Sequence, residues 1–205
     1  MSHYLGYGSL ISPTVVAAYF FDDREEKTRQ KYSKQFSDQE SVLRSDFTEK
    51  WREIKDEVDM IPVKVRGLKR SYSLKSRRGG LMLSASEDEE EWINGVVIRG
   101  LPEKQQEVLD NVESDYVKHE ISLEDIETYP NVDVEIEQEP ILYLSDEVDK
   151  FDPGDREINR IYHRTILEGI DLLAEDYGQS FAEEFRDDFL KTTYLRGKPV
   201  SERYI

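Results

Sequence analysis

The sequence predicts an α+β fold. Three observations carry this: alternating apolar runs punctuated by glycine between Ile61 and Leu101, a proline-initiated helical segment from Pro102 to Asn111, and two amphipathic helical segments after the turn Asp152-Pro153-Gly154-Asp155. With 205 residues, 37% of them hydrophobic, the chain supplies a core for one domain, residues 1–205, with embellishments.

Taken in order, Tyr4-Leu5-Gly6-Tyr7-Gly8-Ser9-Leu10-Ile11 reads as a short strand opening into a Gly-Ser turn. Ser12 is placed as an N-cap and Pro13 as the first residue of a helix carrying Val15, Val16, Ala18 and Tyr19. Glycine lets a ligand approach the main chain, and N–H groups at a helix start can hold an anion or a carbonyl. Residues 24–59 are mostly charged, yet Tyr32, Phe36, Leu43, Phe47, Trp51, Ile54 and Val58 recur at spacings of three, four or seven. This predicts a charged helical insertion whose apolar stripe docks on its own domain, or alternatively on a protein partner or a second copy of the chain.

Val63 and Val65, Tyr72 and Leu74, Leu81 and Leu83, and Val96 and Ile98 then mark short strands. Gly67, Gly79-Gly80, Gly95 and Gly100 punctuate them and predict bulges or tight turns that bend the sheet toward a barrel-like form. The helix from Pro102 turns Val108 and Leu109 inward. Strand is predicted again at Tyr116–Leu123 and Val132–Leu144, where Val132, Val134 and Ile136 alternate with acidic residues. Ile158, Ile161, Tyr162, Thr165 and Ile170, then Phe181, Phe185 and Phe189, define the two helices of a C-terminal extension, residues 155–205, that covers the sheet.

The net charge of −17 argues against nucleic acid and anionic membrane surfaces as partners and leaves small molecules or proteins. The absence of cysteine removes disulfides, thiolate metal sites and cysteine nucleophiles. No run approaches the roughly 20 apolar residues of a membrane span, so a cytoplasmic protein is expected. His3, His119 and His163 are scattered, and no metal or cofactor is expected. The acidic runs Glu87–Glu91 and Glu120–Glu139 lack the calcium-loop pattern and read as solvated faces.

Val108-Leu109-Asp110-Asn111-Val112-Glu113 leaves Glu113 just past a helix end, before Tyr116. A lone glutamate there is ordinarily solvated, and the wider set of motifs gives it a role. Tyr7-Gly8-Ser9 resembles the YGS substrate loop of the γ-glutamylcyclotransferase family and its AIG2-like relatives, and Leu109-Asp110-x-x-Glu113 with Tyr116 resembles its LDxxE segment. Val65-Arg66-Gly67-Leu68-Lys69-Arg70-Ser71-Tyr72 is similar to the family's second strand, and Asn94-Gly95-Val96-Val97-Ile98 to the strand before its catalytic helix. Together these span roughly residues 4–144 in the expected order.

The resemblance implies a small, mixed, distorted β-barrel flanked by helices, with a pocket between the YGS loop and Glu113. It implies an enzyme that cyclises a γ-glutamyl amide or peptide to 5-oxoproline and releases an amine or amino acid. Glu113 is the implied general base and acid, and Tyr7, Gly8, Ser9, Leu10 and Tyr116 the implied substrate-binding residues. The nucleophile belongs to the substrate, so the chemistry asks for one carboxylate of raised pKa and a loop of amides. Leu10 stands where many members carry asparagine, which removes one polar contact. The insertion and the extension lie outside the common core; Tyr143, Tyr162 and Arg203-Tyr204 are residues through which the chain could cover the pocket, though such side chains ordinarily pack structurally. The alternative on the same fold is a non-catalytic small-acid-binding or protein-interaction module.

Overall fold

The computed structural model describes residues 2–20, 41–75, 80–145 and 157–200, with side chains from 46 onward in the second stretch. Expectations placed on Tyr32, Phe36, the Leu43 side chain, Gly79, the 152–155 turn and Arg203-Tyr204 lie outside these residues. The strands are β1 (Tyr4–Gly6), β2 (Asp59–Lys75), β3 (Leu81–Arg99), β4 (Val117–Glu120), β5 (Ile126–Thr128), β6 (Ile141–Leu144), β7 (Thr193–Leu195) and β8 (Lys198–Pro199). The helices are α1 (Pro13–Ala18), α2 (Ser41–Ile54), α3 (Glu103–Val112), α4 (Arg160–Tyr177) and α5 (Gln179–Lys191), with 3-10 turns at Ser9–Ile11 and Leu123–Asp125.

The α+β class holds, but the sheet is not a closed barrel. Its order is β4-β6-β1-β3-β2-β7-β8, with β5 paired to β2 off this path, and the terminal strands β4 and β8 do not meet. Two register shifts, between Arg66 and Leu68 and between Tyr72 and Leu74, bend the β2–β3 ribbon. The bend splits the free side of β2: β5 pairs with Val63–Val65, and β7 with Arg70 and Ser71.

The four short strands expected between Ile61 and Leu101 are thus two long ones. Gly67, at φ 77°, is a bulge inside β2, where the sequence suggests punctuation between strands. The acidic run Glu87–Glu91 belongs to β3 and keeps much of its length toward solvent. Val132–Glu139 is not strand. Val132 is buried and Val134 and Ile136 pack on the core, so the alternation reflects one-sided burial of an extended segment that has no ladder partner. The C-terminal extension is not wholly helical either: it ends in the β7–β8 hairpin, turned through Arg196 and Gly197 at positive φ.

The core runs between the sheet and the helices. Ile166, Ile170, Phe185 and Phe189 from α4 and α5 are fully buried with Val63, Val65, Ile93 and Val96 of the sheet. The described part of the insertion docks on its own domain, as the apolar stripe predicts. Phe47, Trp51 and Ile54 of α2 are buried, and Arg52 and Lys55 pair with Glu175 and Asp176 of α4 at 2.8 Å each. Among the described residues no helix is long and apolar enough to cross a membrane.

Candidate active site

The turn after β1 is built by its own main chain. Gly8 and Ser9 carbonyls accept from the Ile11 and Ser12 N–H groups at 3.0 Å, forming the 3-10 turn that delivers the chain to α1. Ser12 occupies the N-cap position, but its hydroxyl bonds Thr14 Oγ1 at 2.8 Å and does not cap the helix. Leu10 turns inward and is 8% exposed, so its side chain belongs to the core. Tyr7 stays partly exposed, and its hydroxyl donates to the Tyr143 carbonyl of β6 at 3.3 Å.

Gly8 is required by what lies over it. A Cβ there would stand 2.6 Å from the Tyr162 hydroxyl, which α4 holds above the turn. The Ser9 and Leu83 backbone N–H groups are directed at that hydroxyl and favour its ionised form, while burial and the neighbouring Tyr116 and Glu113 hold it well above its usual value. At neutral pH it is therefore a phenol. One of the amides assigned to the substrate from the sequence, that of Ser9, thus faces a tyrosine from the C-terminal extension.

Glu113 lies at the end of α3, where its N–H bonds the Leu109 carbonyl at 2.9 Å and its own carbonyl accepts from the Tyr116 N–H at 2.9 Å. With both backbone groups committed, the carboxyl alone is available for chemistry. The residue is only partly exposed, and burial, followed by the like charge of Asp115, raises its carboxyl from 4.5 to about 7.

Its field reaches the tyrosines. Glu113 contributes to raising Tyr7, Tyr143 and Tyr162, after burial in each case, and Tyr116 does the same for Tyr7 and Tyr162. Tyr7, Tyr116, Tyr162 and Glu113 thus form one electrostatic cluster around the Gly8-Ser9 turn: a carboxyl able to take or give a proton near neutrality, beside phenols that remain donors.

Asp110, one turn before Glu113, fixes the helix end. The Tyr143 hydroxyl donates to its carboxylate, and Lys118 Nζ lies 2.8 Å from the other oxygen. Tyr143 in turn stacks on Tyr4 of β1 at 6.1 Å and 7°. The aspartate of Leu109-Asp110-x-x-Glu113 therefore ties the glutamate to the strand that bears the turn. The sequence singles out Asp110 only as part of a motif, and Tyr162 only as one of several tyrosines able to cover a pocket; their roles come from contacts across 33 residues and more. The signal that could have found Asp110 is its place three residues before Glu113, on the same side of the helix.

No protein-family model matches this sequence, and no curated protein matches it. Among solved structures, one described as a gamma-glutamyl cyclotransferase is similar at 16% identity over 99% of this chain and 95% of its own, with a TM-score of 0.50. An uncharacterized protein from Homo sapiens is similar at 14% identity over the same shares, also with a TM-score of 0.50. The open sheet and its covering helices are thus an example of a γ-glutamyl cyclotransferase-like fold.

Proposed function

We propose that the protein cyclises a γ-glutamyl amide or peptide to 5-oxoproline, with Glu113 as general base and then general acid. The observation that supports this reading is Glu113 itself, only partly exposed, with its carboxyl raised to about 7 by burial and its charge felt by Tyr7 and Tyr162. The substrate's α-ammonium gives a proton to the Glu113 carboxylate, and the freed amine attacks the γ-carbonyl carbon within the same molecule. The new carbon–nitrogen bond closes a five-membered ring and places negative charge on the former carbonyl oxygen. The ring nitrogen gives its second proton to water, and collapse of this intermediate breaks the original amide bond while Glu113 returns the first proton to the departing nitrogen. A carboxyl of pKa near 7 is suited to both transfers, because neither direction is strongly uphill at neutral pH.

Gly8 and Leu10 amides and the phenols of Tyr116 and Tyr162 are the groups assigned to the substrate's carboxylate and developing oxyanion, with the Tyr7 ring lining the site. Holding the chain folded, amine against carbonyl, supplies much of the rate for an intramolecular attack. A competing reading, a non-catalytic site for a small acid, draws on the Tyr162 hydroxyl, which takes up the Ser9 N–H.

The test follows the products formed from γ-glutamyl amino acids, γ-glutamyl-ε-lysine and glutathione. Cyclisation yields 5-oxoproline and requires a free α-amine, so the N-acetylated forms stay intact. Release of free glutamate would mean water is the nucleophile and the proposal is wrong. Binding of 5-oxoproline without turnover of any substrate would establish the non-catalytic site.

A further inference from the structure

Arg70 is the largest of the fully buried side chains, 0% exposed in the middle of β2. Its five N–H groups meet six acceptors. Nε donates to Thr193 Oγ1 at 2.8 Å; Nη1 donates to the Asn94 carbonyl at 2.7 Å and the Tyr7 carbonyl at 3.1 Å. Nη2 donates to Asn94 Oδ1 at 2.7 Å, Thr192 Oγ1 at 3.1 Å and the Phe189 carbonyl at 3.2 Å. Every acceptor is uncharged, and among the described residues no carboxylate pairs with the guanidinium. Burial lowers its pKa from 12.5 to about 9, which leaves it a cation at neutral pH. A buried cation without a counter-ion is costly, and filling space alone would be served by a side chain without that charge. Packing therefore does not account for an arginine here.

The acceptors do. Phe189, Thr192 and Thr193 belong to the end of α5 and the start of β7, Asn94 belongs to β3, and the Tyr7 carbonyl belongs to the turn over which Tyr162 sits. The described peptides include no cis bond, so the N–H of the Tyr7–Gly8 peptide points away from the carbonyl that Arg70 grips. The turn's own hydrogen bonds use the Gly8 and Ser9 carbonyls and leave that N–H out. A guanidinium bonded to the oxygen also polarises the peptide, strengthening the N–H as a donor on the far side.

We propose that Arg70 is a positioning residue for the ligand turn: it fixes the Tyr7–Gly8 peptide with its N–H toward the cleft and, as a buried cation behind that peptide, biases the site toward carboxylates and oxyanions. This rests on the reading of the cleft as a γ-glutamyl site and names what makes that site select an anion. Lysine at this position keeps the charge but cannot grip Tyr7 and Asn94 together. Asn94→Asp keeps the arginine and sets a carboxylate against Nη2, neutralising it, while giving up the Asn94 Nδ2 bond to the Phe185 carbonyl, a loss that the thermal midpoint reads.

The experiment measures binding of 5-oxoproline and of its neutral carboxamide by calorimetry, with thermal midpoints, for the native protein, Arg70→Lys, Asn94→Asp and Thr192→Val. The expected result is a preference for the carboxylate that falls about tenfold or more in Arg70→Lys and Asn94→Asp. Thr192→Val, which removes one Arg70 acceptor but leaves the Tyr7 contact, lowers the midpoint and keeps the preference. If Arg70→Lys lowers only the midpoint and binds both ligands in the native ratio, Arg70 is scaffold alone and the inference is overturned. Should Arg70→Lys not fold, an unchanged preference in Asn94→Asp overturns the electrostatic bias by itself. Failure of the native protein to bind 5-oxoproline at all would instead remove the γ-glutamyl reading, and this inference with it.

Discussion

The Tyr162 hydroxyl lies 2.6 Å from where a Cβ on Gly8 would be, so a helix of the C-terminal extension meets the main chain of the turn after the first strand at a point where any side chain would shift that tyrosine. The Gly8→Ala protein should fold with stability within about 1 kcal/mol of native, because the group displaced is the far end of one tyrosine side chain and not backbone. Its turnover should fall at least about tenfold, since misplacing a group by about 1 Å at such a site costs that much or more. Thermal melts alongside 5-oxoproline release check both halves.

Gly169 makes the contrasting case. A Cβ there runs into Ser12 Cα, which is backbone and cannot swing aside. Gly169→Ala should destabilise by about 1–3 kcal/mol through displacement of α4. Chemical denaturation measures it, and a neutral result would mean that α4 sits farther from the turn than described.

The Tyr143 hydroxyl bonds Asp110, which keeps Lys118 as a second partner at 2.8 Å. Tyr143→Phe should therefore cost about 1–2 kcal/mol, a hydrogen bond to a charged group, without unfolding the helix end. Turnover should drop more than substrate binding does, because the change acts on the placement of Glu113. Comparison of kcat with KM in this variant provides the check.

The motif residues were legible because they are local: the Gly-Ser turn, Pro13 and the run from Leu109 to Glu113 each announce a bend or a helix end within a few residues. Val63, Val65, Val96 and Ile98 likewise declared the sheet by alternation. What stayed hidden depends on distant partners. Arg70 reaches Thr193 across 123 residues of sequence, and nothing near it distinguishes it from a surface arginine. The alternation of Val132, Val134 and Ile136 promises a strand, but a ladder needs a neighbour, and none runs beside it. β7, at three residues, is too short to show a period and exists because Arg70 and Ser71 of β2 offer it an edge.

The pH dependence of stability carries two opposite signatures. Glu113 is raised from 4.5 to about 7, so the unfolded chain ionises first and the fold loses stability as pH rises through that window. At about 1.4 kcal/mol per unit the loss is bounded by about 3 kcal/mol, and contact of the half-exposed carboxyl with water reduces it. Glu113→Gln should accordingly be more stable than native at pH 8 and equal to it near pH 4. His163, 1% exposed and hydrogen-bonded through Nδ1 to Tyr72, is lowered by burial from 6.5 to about 4. The unfolded chain binds its proton first, so stability falls as pH drops from 6.5 toward 4, and His163→Phe should flatten that limb. Denaturant midpoints across pH 4–8 separate the two.

The central claim is that Glu113 moves the proton in a cyclisation. Its most direct test is 5-oxoproline release by the native protein and by Glu113→Gln, with 5-oxoproline affinity measured for each. The glutamine variant should bind the product within a few fold of native and release none above background. Turnover retained by Glu113→Gln would contradict the claim.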